Sequence, residues 1–292
     1  MSTINTRWIL PMNNTRWIFP VFAVSGGLIA LALRLIQNLT GFESSTGLPV
    51  RGNVAAICLA VALAVICVLL GVSAFALLPK QTPVFPFRTD KRLLWGLPTA
   101  GAFVLILSGL ADMAQGLSGN TAQPAFEDET AMALWEVQNA GLGSGMQILC
   151  GILTILSAAG LLWCMGICTG KRKGRGLPLL IIPVGMVIRL VGVYRMDSIN
   201  PVLEDYAVQI IALALLTLAF YHLSAFAFEA GHLRRFAFYA GMTVVFCICS
   251  LADAAVCVSF PLMYAGGAMS ILGFLLLVLE TSSAPPESAE SL

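Results

Sequence analysis

Charge is what this chain has least of. Charged side chains make up 11% of its 292 residues, where a soluble domain carries about 25%. Sixteen basic and fifteen acidic residues cannot solvate a chain that is 58% hydrophobic, so a soluble globule is excluded. A net charge of +1 offers no basic surface of the kind nucleic acid requires. Histidine is nearly missing, with two residues, and the eight cysteines all fall inside apolar runs. Cys164 and Cys168 are one helical turn apart, but no histidine joins them at zinc-ligand spacing. All eight therefore read as small apolar side chains, and neither a metal nor a cofactor is expected. A glycine-rich phosphate loop is lacking, as is any polar segment long enough for a nucleotide domain, which excludes a self-contained ATP-driven pump. Short segments of alternating polarity are absent too, which argues against a membrane β-barrel.

What the chain does have is hydrophobic blocks of about 20 residues, the length that crosses a bilayer core about 30 Å thick. Eight can be drawn, at about 18–37, 54–78, 93–116, 144–168, 177–196, 203–228, 234–258 and 260–280. The expected fold class is thus all-α, a polytopic membrane helix bundle in contact with the lipid bilayer. Pro261 makes a break between the last two spans reasonable. Basic residues in alternate connections set the orientation. Twelve of the sixteen lie in one set: Arg7, Arg16, Lys80, Arg88, Lys91, Arg92, Lys171, Arg172, Lys173, Arg175, Arg234 and Arg235. The other set holds only Arg51 and Arg195, while Arg34 and Arg189 lie within spans. This bias places both termini in the cytoplasm of a cell-membrane protein. Trp17, Trp95 and Trp163 then fall near the cytoplasmic interface, where amphipathic rings collect.

The two halves repeat one another. Ala32-Leu33-Arg34-Leu35-Ile36 corresponds to Val187-Ile188-Arg189-Leu190-Val191, and Ser73-Ala74-Phe75-Ala76 to Ser224-Ala225-Phe226-Ala227. Leu110-Ala111-Asp112 corresponds to Leu251-Ala252-Asp253, and Thr154-Ile155-Leu156 loosely to Ser270-Ile271-Leu272. The offset shrinks steadily along the chain, as shorter connections in the second half require. Four spans per unit is an even number, so both units enter from the same side, as parallel four-helix repeats. Residues 1–143 hold the first repeat up to the start of its fourth span, including a long outer loop at 117–143. Residues 144–168 form that fourth span, 169–280 the second repeat, and 281–292 an acidic tail expected to be disordered. Because the first apolar run has an equivalent later on, it reads as part of the fold and not as a cleaved signal. The doubled Asn-Thr-Arg-Trp-Ile at 5–9 and 14–18 is a short local duplication.

Four ionisable residues sit inside spans, at the repeated positions: Arg34, Asp112, Arg189 and Asp253. Burying a charge in hydrocarbon is costly, so each is a candidate for function. Helix rise places all four between about 20 and 30 Å from the basic ends of their helices, in one layer near the outer face. Small residues share their faces: Gly27 and Ala30 with Arg34, Gly185 and Gly192 with Arg189, Ser108 with Asp112, Ser250 with Asp253. Small residues allow close helix approach, so these faces should point into the bundle. The functional reading is a polar cup with an Arg–Asp pair in each half, binding a small polar solute through Arg34, Asp112, Arg189, Asp253, Ser108 and Ser250. The structural reading makes the same charges snorkelling anchors or plain ion pairs. His222 is a proton-relay candidate, or else a hydrogen-bonded histidine between helices. In the outer loop, 129–140 reads as a short helix with Met132 and Trp135 on one face, capped by Asp128, either a lid or an interfacial helix. Asp197, Glu204 and Asp205 follow in turn chemistry, either as a divalent-cation site or, for Glu204 and Asp205, as helix caps.

No catalytic constellation emerges: no serine has a histidine at matching depth, and the aspartates lack a paired-protease context, so no enzyme is expected. The arginine-bearing first span, followed by Thr40-Gly41-Phe42 and Thr46-Gly47-Leu48-Pro49, resembles uncharacterised multi-pass membrane proteins of bacteria. That resemblance covers the first span and loop and implies no activity. A permease-like or solute-binding protein and a non-transporting scaffold, sensor or partner subunit are therefore both carried forward. The orientation is checked by a membrane-impermeant thiol reagent on intact cells. Asn120→Cys is expected to label, and Lys173→Cys to label only after lysis; the reverse pattern inverts the topology.

Overall fold

The computed structural model describes residues 12–42, 50, 52–79, 83, 85–87, 92–118, 143–171, 176–197, 203–253 and 258–282. Every regular element among these is helical: α1 (Met12–Thr40), α2 (Val54–Leu77), α3 (Arg92–Ser118), α4 (Ser144–Cys168), α5 (Ile181–Asp197), α6 (Leu203–Ala225), α7 (Leu233–Ser250) and α8 (Ser259–Thr281). Turns of 3-10 helix precede α5 (Leu177–Leu180) and follow α6 (Phe226–Phe228) and α7 (Leu251–Asp253). Among the described residues, eight helices are long and apolar enough to cross a membrane. In hydrocarbon a helix satisfies its backbone groups internally, and so even the valine-rich α2 is helical. That helix exposes Ile57, Val61, Val65, Val68 and Val72, a surface suited to acyl chains and not to water.

Helix ends follow local chemistry. Asn53 Oδ1 accepts from the amides of Ala55 and Ala56, capping α2. The same side chain donates through Nδ2 to the carbonyl of Thr40, so one asparagine joins the end of α1 to the start of α2. At the other end of α2, Arg234 Nε reaches across from α7 to the carbonyl of Leu78, at 2.9 Å. Pro261 falls in the first turn of α8, where a missing N–H costs nothing. The last two spans are separate helices, but the seventh is shorter than its composition suggests. Residues 251–258 are apolar enough to continue α7, yet the α-helix stops at Ser250. Asn38 Nδ2, from α1, bonds the carbonyl of Ala252 and the carboxylate of Asp253, in the 3-10 turn where the α-helix has ended.

With lipid as solvent, helices associate through close packing more than through hydrophobic burial. Helix α3 is held on both flanks by α4 and α8. A Cβ on Gly109 would stand 2.8 Å from the carbonyl of Gly151, and one on Gly151 would stand 2.7 Å from that of Gly109. Towards α8, a Cβ on Gly101 would stand 2.7 Å from the Gly266 carbonyl, and one on Gly266 2.9 Å from the Gly101 carbonyl. Helix α7 lies against α1, α6 and α8, with α2 at its rim. Within halves the neighbours agree in part: α1 packs on α2 as α5 does on α6, and α3 on α4 as α7 does on α8, but α6 also packs on α7 with no matching packing of α2 on α3 among the described residues. Between halves they differ, since α3 lies along α8 whereas α7 lies along α1. The cause is legible. Gly101 and Gly109 of α3 correspond to Met242 and Ser250 of α7, which cannot admit a second backbone so closely.

At the end carrying Lys171, Arg234 and Arg235, the chain after α2 turns back into the bundle. Phe87 is fully buried there, edge-on to Phe85 and Phe226 at 5.7 and 5.4 Å, with Phe236 completing the cluster against Phe226 at 5.5 Å. Trp17 and Trp163 are exposed at this end, and Lys171 stands 5.8 Å over the ring of Trp95. Glycine substitutions separate close packing from propensity. Gly151→Ala is expected to cost about 1–3 kcal/mol through overpacking. Gly96→Ala, in the same bundle with nothing within 4 Å of its would-be Cβ, is expected to be neutral or mildly stabilising. Thermal-unfolding midpoints of the two variants in detergent check this.

Candidate functional site

The charged residues gather at the end of the bundle opposite the basic loops. On α1, Arg34, Gln37 and Asn38 fall three and four residues apart and so share one face. That face meets α7 because the helices run parallel in close contact. A Cβ on Gly27 would lie 2.9 Å from Ile248, and Cys249 Sγ donates to the carbonyl of Ala30. The resulting register sets Arg34 beside Asp253, just past the end of α7. Arg34 Nε donates to Asp253 Oδ1 at 2.9 Å, and its Nη1 donates to Gln37 Oε1 at 3.1 Å. Asn38 Nδ2 donates to the same Asp253 Oδ1, also at 2.9 Å. Arg34 is 1% exposed.

The second pair is built from four helices. A would-be Cβ on Gly185 lies 3.3 Å from Leu153 and Ser157, so α5 packs tightly on α4. From there Arg189 reaches Asp112 of α3 with two parallel bonds, Nη1 to Oδ2 at 2.6 Å and Nη2 to Oδ1 at 3.1 Å. Arg189 Nη1 also lies 3.4 Å from Thr154 Oγ1, whose hydroxyl donates to the carbonyl of Cys150 at 2.7 Å. Phe260, in the first turn of α8, covers the guanidinium with its ring centroid 5.1 Å away. Arg189 and Asp112 are 1% and 2% exposed.

Partners are therefore exchanged between halves. The first-half arginine holds the second-half aspartate, and the reverse, in place of the pairing within each half expected from the sequence. The small-residue faces do point inward: Ala30, Gly185, Gly192, Ser108 and Ser250 are all buried. Both serines bond backbone and not charge. Ser108 donates to the carbonyl of Ser259, tying α3 to the start of α8, and Ser250 donates to that of Cys247 in its own helix. His222 lies at the other end of the bundle. Its ring stacks on Tyr239 of α7 at 4.7 Å, with Tyr221 edge-on at 5.5 Å.

The pairs differ in completeness. Both carboxylate oxygens of Asp112 are engaged. At Asp253, Oδ1 accepts two bonds while Oδ2, although buried, has no partner; Asn38 Oδ1 and Arg189 Nε are buried and unmet as well. Sequence reasoning missed Gln37, Asn38, Thr154 and Phe260. Gln37 and Asn38 carried a signal, their helical spacing from Arg34; Thr154 and Phe260 are brought in by other helices. Among the described residues no three His, Cys, Asp or Glu side chains lie close enough to hold a metal ion. The expected loop helix at 129–140, Asp128, Met132 and Trp135, and the 283–292 part of the tail lie outside the described residues, as do the side chains of Asp197, Glu204 and Asp205.

Fold and charge layer together define a multi-pass helical integral membrane protein in contact with the lipid bilayer. The chain matches no protein-family model, no curated protein and no solved structure.

Exchanged pairing makes a specific demand on double variants. Arg189→Ala leaves Asp112 buried without a counter-charge, a loss of about 3–5 kcal/mol. Adding Asp112→Ala is expected to recover a large part of that loss, whereas adding Asp253→Ala deepens it. Unfolding midpoints of the three variants decide between exchanged and within-half pairing.

Proposed function

We propose that the chain is a permease-like or solute-binding protein of the cell membrane, with both termini cytoplasmic. It is built from two tandem four-helix units and takes a small polar solute at the Arg34–Asn38–Asp253 part of the charge layer. One observation carries the reading: Asp253 Oδ2 and Asn38 Oδ1 are buried acceptors without a donor. A buried polar group left unmet costs about 1–3 kcal/mol. Such atoms in a native bundle call for an explanation, and a visiting solute supplies one. Their position supports access, since Asn38 lies in the last turn of α1 and Asp253 in the 3-10 turn that follows α7. A departure from regular α-helix at membrane depth is typical of substrate sites in transporters. In this reading Arg189 and Asp112 form the permanent clamp, and Ser108 and Ser250 hold the helices that frame the site. The His222–Tyr239 stack supports a contact between helices over a proton relay.

A non-transporting scaffold, sensor or partner subunit is the second reading. It is favoured by the direct pairing of all four charges, which closes the layer without a guest. A thermal-shift screen on the purified protein separates the two. Solute binding predicts that at least one class among amino acids, amines, organic acids and polyols raises the unfolding midpoint. Asp253→Asn is expected to abolish that rise, while Gly151→Ala, weakened far from the site, keeps it. A flat screen, or a response that survives Asp253→Asn, favours the scaffold.

A further inference from the structure

The two Leu-Ala-Asp segments provide an internal comparison. In the first half, Asp112 shows what completes a buried carboxylate in this bundle: one N–H donor for each oxygen, both from a cation. In the second half, Asp253 has the same sequence context and the same charge on its partner, but Arg34 offers it a single contact through Nε. Asn38 then doubles up on the oxygen already served. The side chain of Asp253 is 8% exposed, so bulk water does not supply the missing donor to Oδ2. Asn38 adds a second unmet acceptor on a group bonded directly to Asp253. Both vacancies are acceptors, and so they select donors and reject anions.

The class of donor can be narrowed. A bare metal ion is poorly served: calcium takes six to eight oxygen ligands and magnesium about six, and only two unmet oxygens, Asp253 Oδ2 and Asn38 Oδ1, are offered at this site. A neutral hydroxyl would fit, but a charged N–H donor to a carboxylate bonds about twice as strongly. An ammonium carries three N–H donors and needs no further oxygen cage.

We propose that Asp253 Oδ2 and Asn38 Oδ1 together receive a primary ammonium group, carried either by a small soluble amine or by the headgroup of phosphatidylethanolamine. The inference rests on the solute-binding reading and names its ligand chemistry. Docking the ammonium gives Asp253 a donor on each oxygen, as Asp112 already has. It also weakens the hold of Arg34 on Asp253, because the carboxylate then divides its charge between two cations.

The test uses the purified full chain in nanodiscs of phosphatidylcholine, whose headgroup lacks N–H. Methylammonium and 1,4-diaminobutane are titrated against tetramethylammonium and sodium at matched ionic strength, with the unfolding midpoint as readout. A second arm replaces part of the lipid with phosphatidylethanolamine. A rise with the N–H cations, saturable and absent with tetramethylammonium, supports a soluble amine; a rise only in the second arm supports the lipid. In either case Asp253→Asn should remove the response and Asn38→Ser should shift its midpoint concentration at least tenfold, while Gly151→Ala keeps it. Asn38→Ser leaves the ion pair intact, so it remains informative where Asp253→Asn fails to fold. Equal responses to tetramethylammonium, or a response that survives both site variants, overturn the proposal. A solute without an amine that acts through Asp253 overturns this inference and leaves the solute-binding reading standing. Silence from every amine, lipid and solute removes both.

Discussion

An ionised group in hydrocarbon has to find its opposite, and in this bundle it finds it in the other half of the chain. Two arginines and two aspartates lie within helices that otherwise present almost nothing but apolar side chains. Each carboxylate is reached by an arginine far away in sequence, on a different helix. Water competes little for these bonds at 1–8% exposure, so breaking one strands two charges at once. The pairs therefore fix more than two contacts. One sets the register of α1 against the end of α7, and the other gathers α3, α4 and α5 under Phe260 of α8. Helix packing supplies the proximity, and charge supplies the specificity.

Much of the architecture was legible because the relevant signals are compositional. Hydrophobic run length located eight helices, most ends to within a few residues but the start of α1 and the end of α7 by more, and the scarcity of charge made Arg34, Asp112, Arg189 and Asp253 conspicuous. The exchange of partners was not legible. Spacing along one helix shows which residues share a face, but not which helix that face meets, and the glycine contacts that decide this are set by three-dimensional register. The end of α7 was hidden for a related reason. Residues 251–258 are apolar enough to continue a helix, yet the α-helix gives way to a 3-10 turn where Asn38 of α1 bonds Ala252 and Asp253. Asn38 itself was overlooked because a polar residue near the end of a span ordinarily just meets water.

The sequence-level likeness between halves does not extend to their packing. Glycines flank α3 on both sides and let α4 and α8 approach its backbone, whereas the matching positions of α7 carry larger side chains. One Leu-Ala-Asp segment continues as α-helix for a further turn and a half, while the other ends in a 3-10 turn. One carboxylate is saturated and the other is not. Two nearly identical sequence motifs thus provide a rigid fastening on one side and a chemically incomplete one on the other.

The aromatic cluster at the basic end sets a mechanical condition on the whole bundle. Phe87 comes from a connection between helices, yet it is wedged as deeply as any core residue, with Phe226 of the turn after α6 against it and Phe236 of α7 behind that ring. Parting α6 from α7 at that end would uncover a whole phenyl ring, worth about 1.5–3 kcal/mol of burial. The hairpin formed by α6 and α7 is thus latched at its bend by a residue that belongs to neither helix.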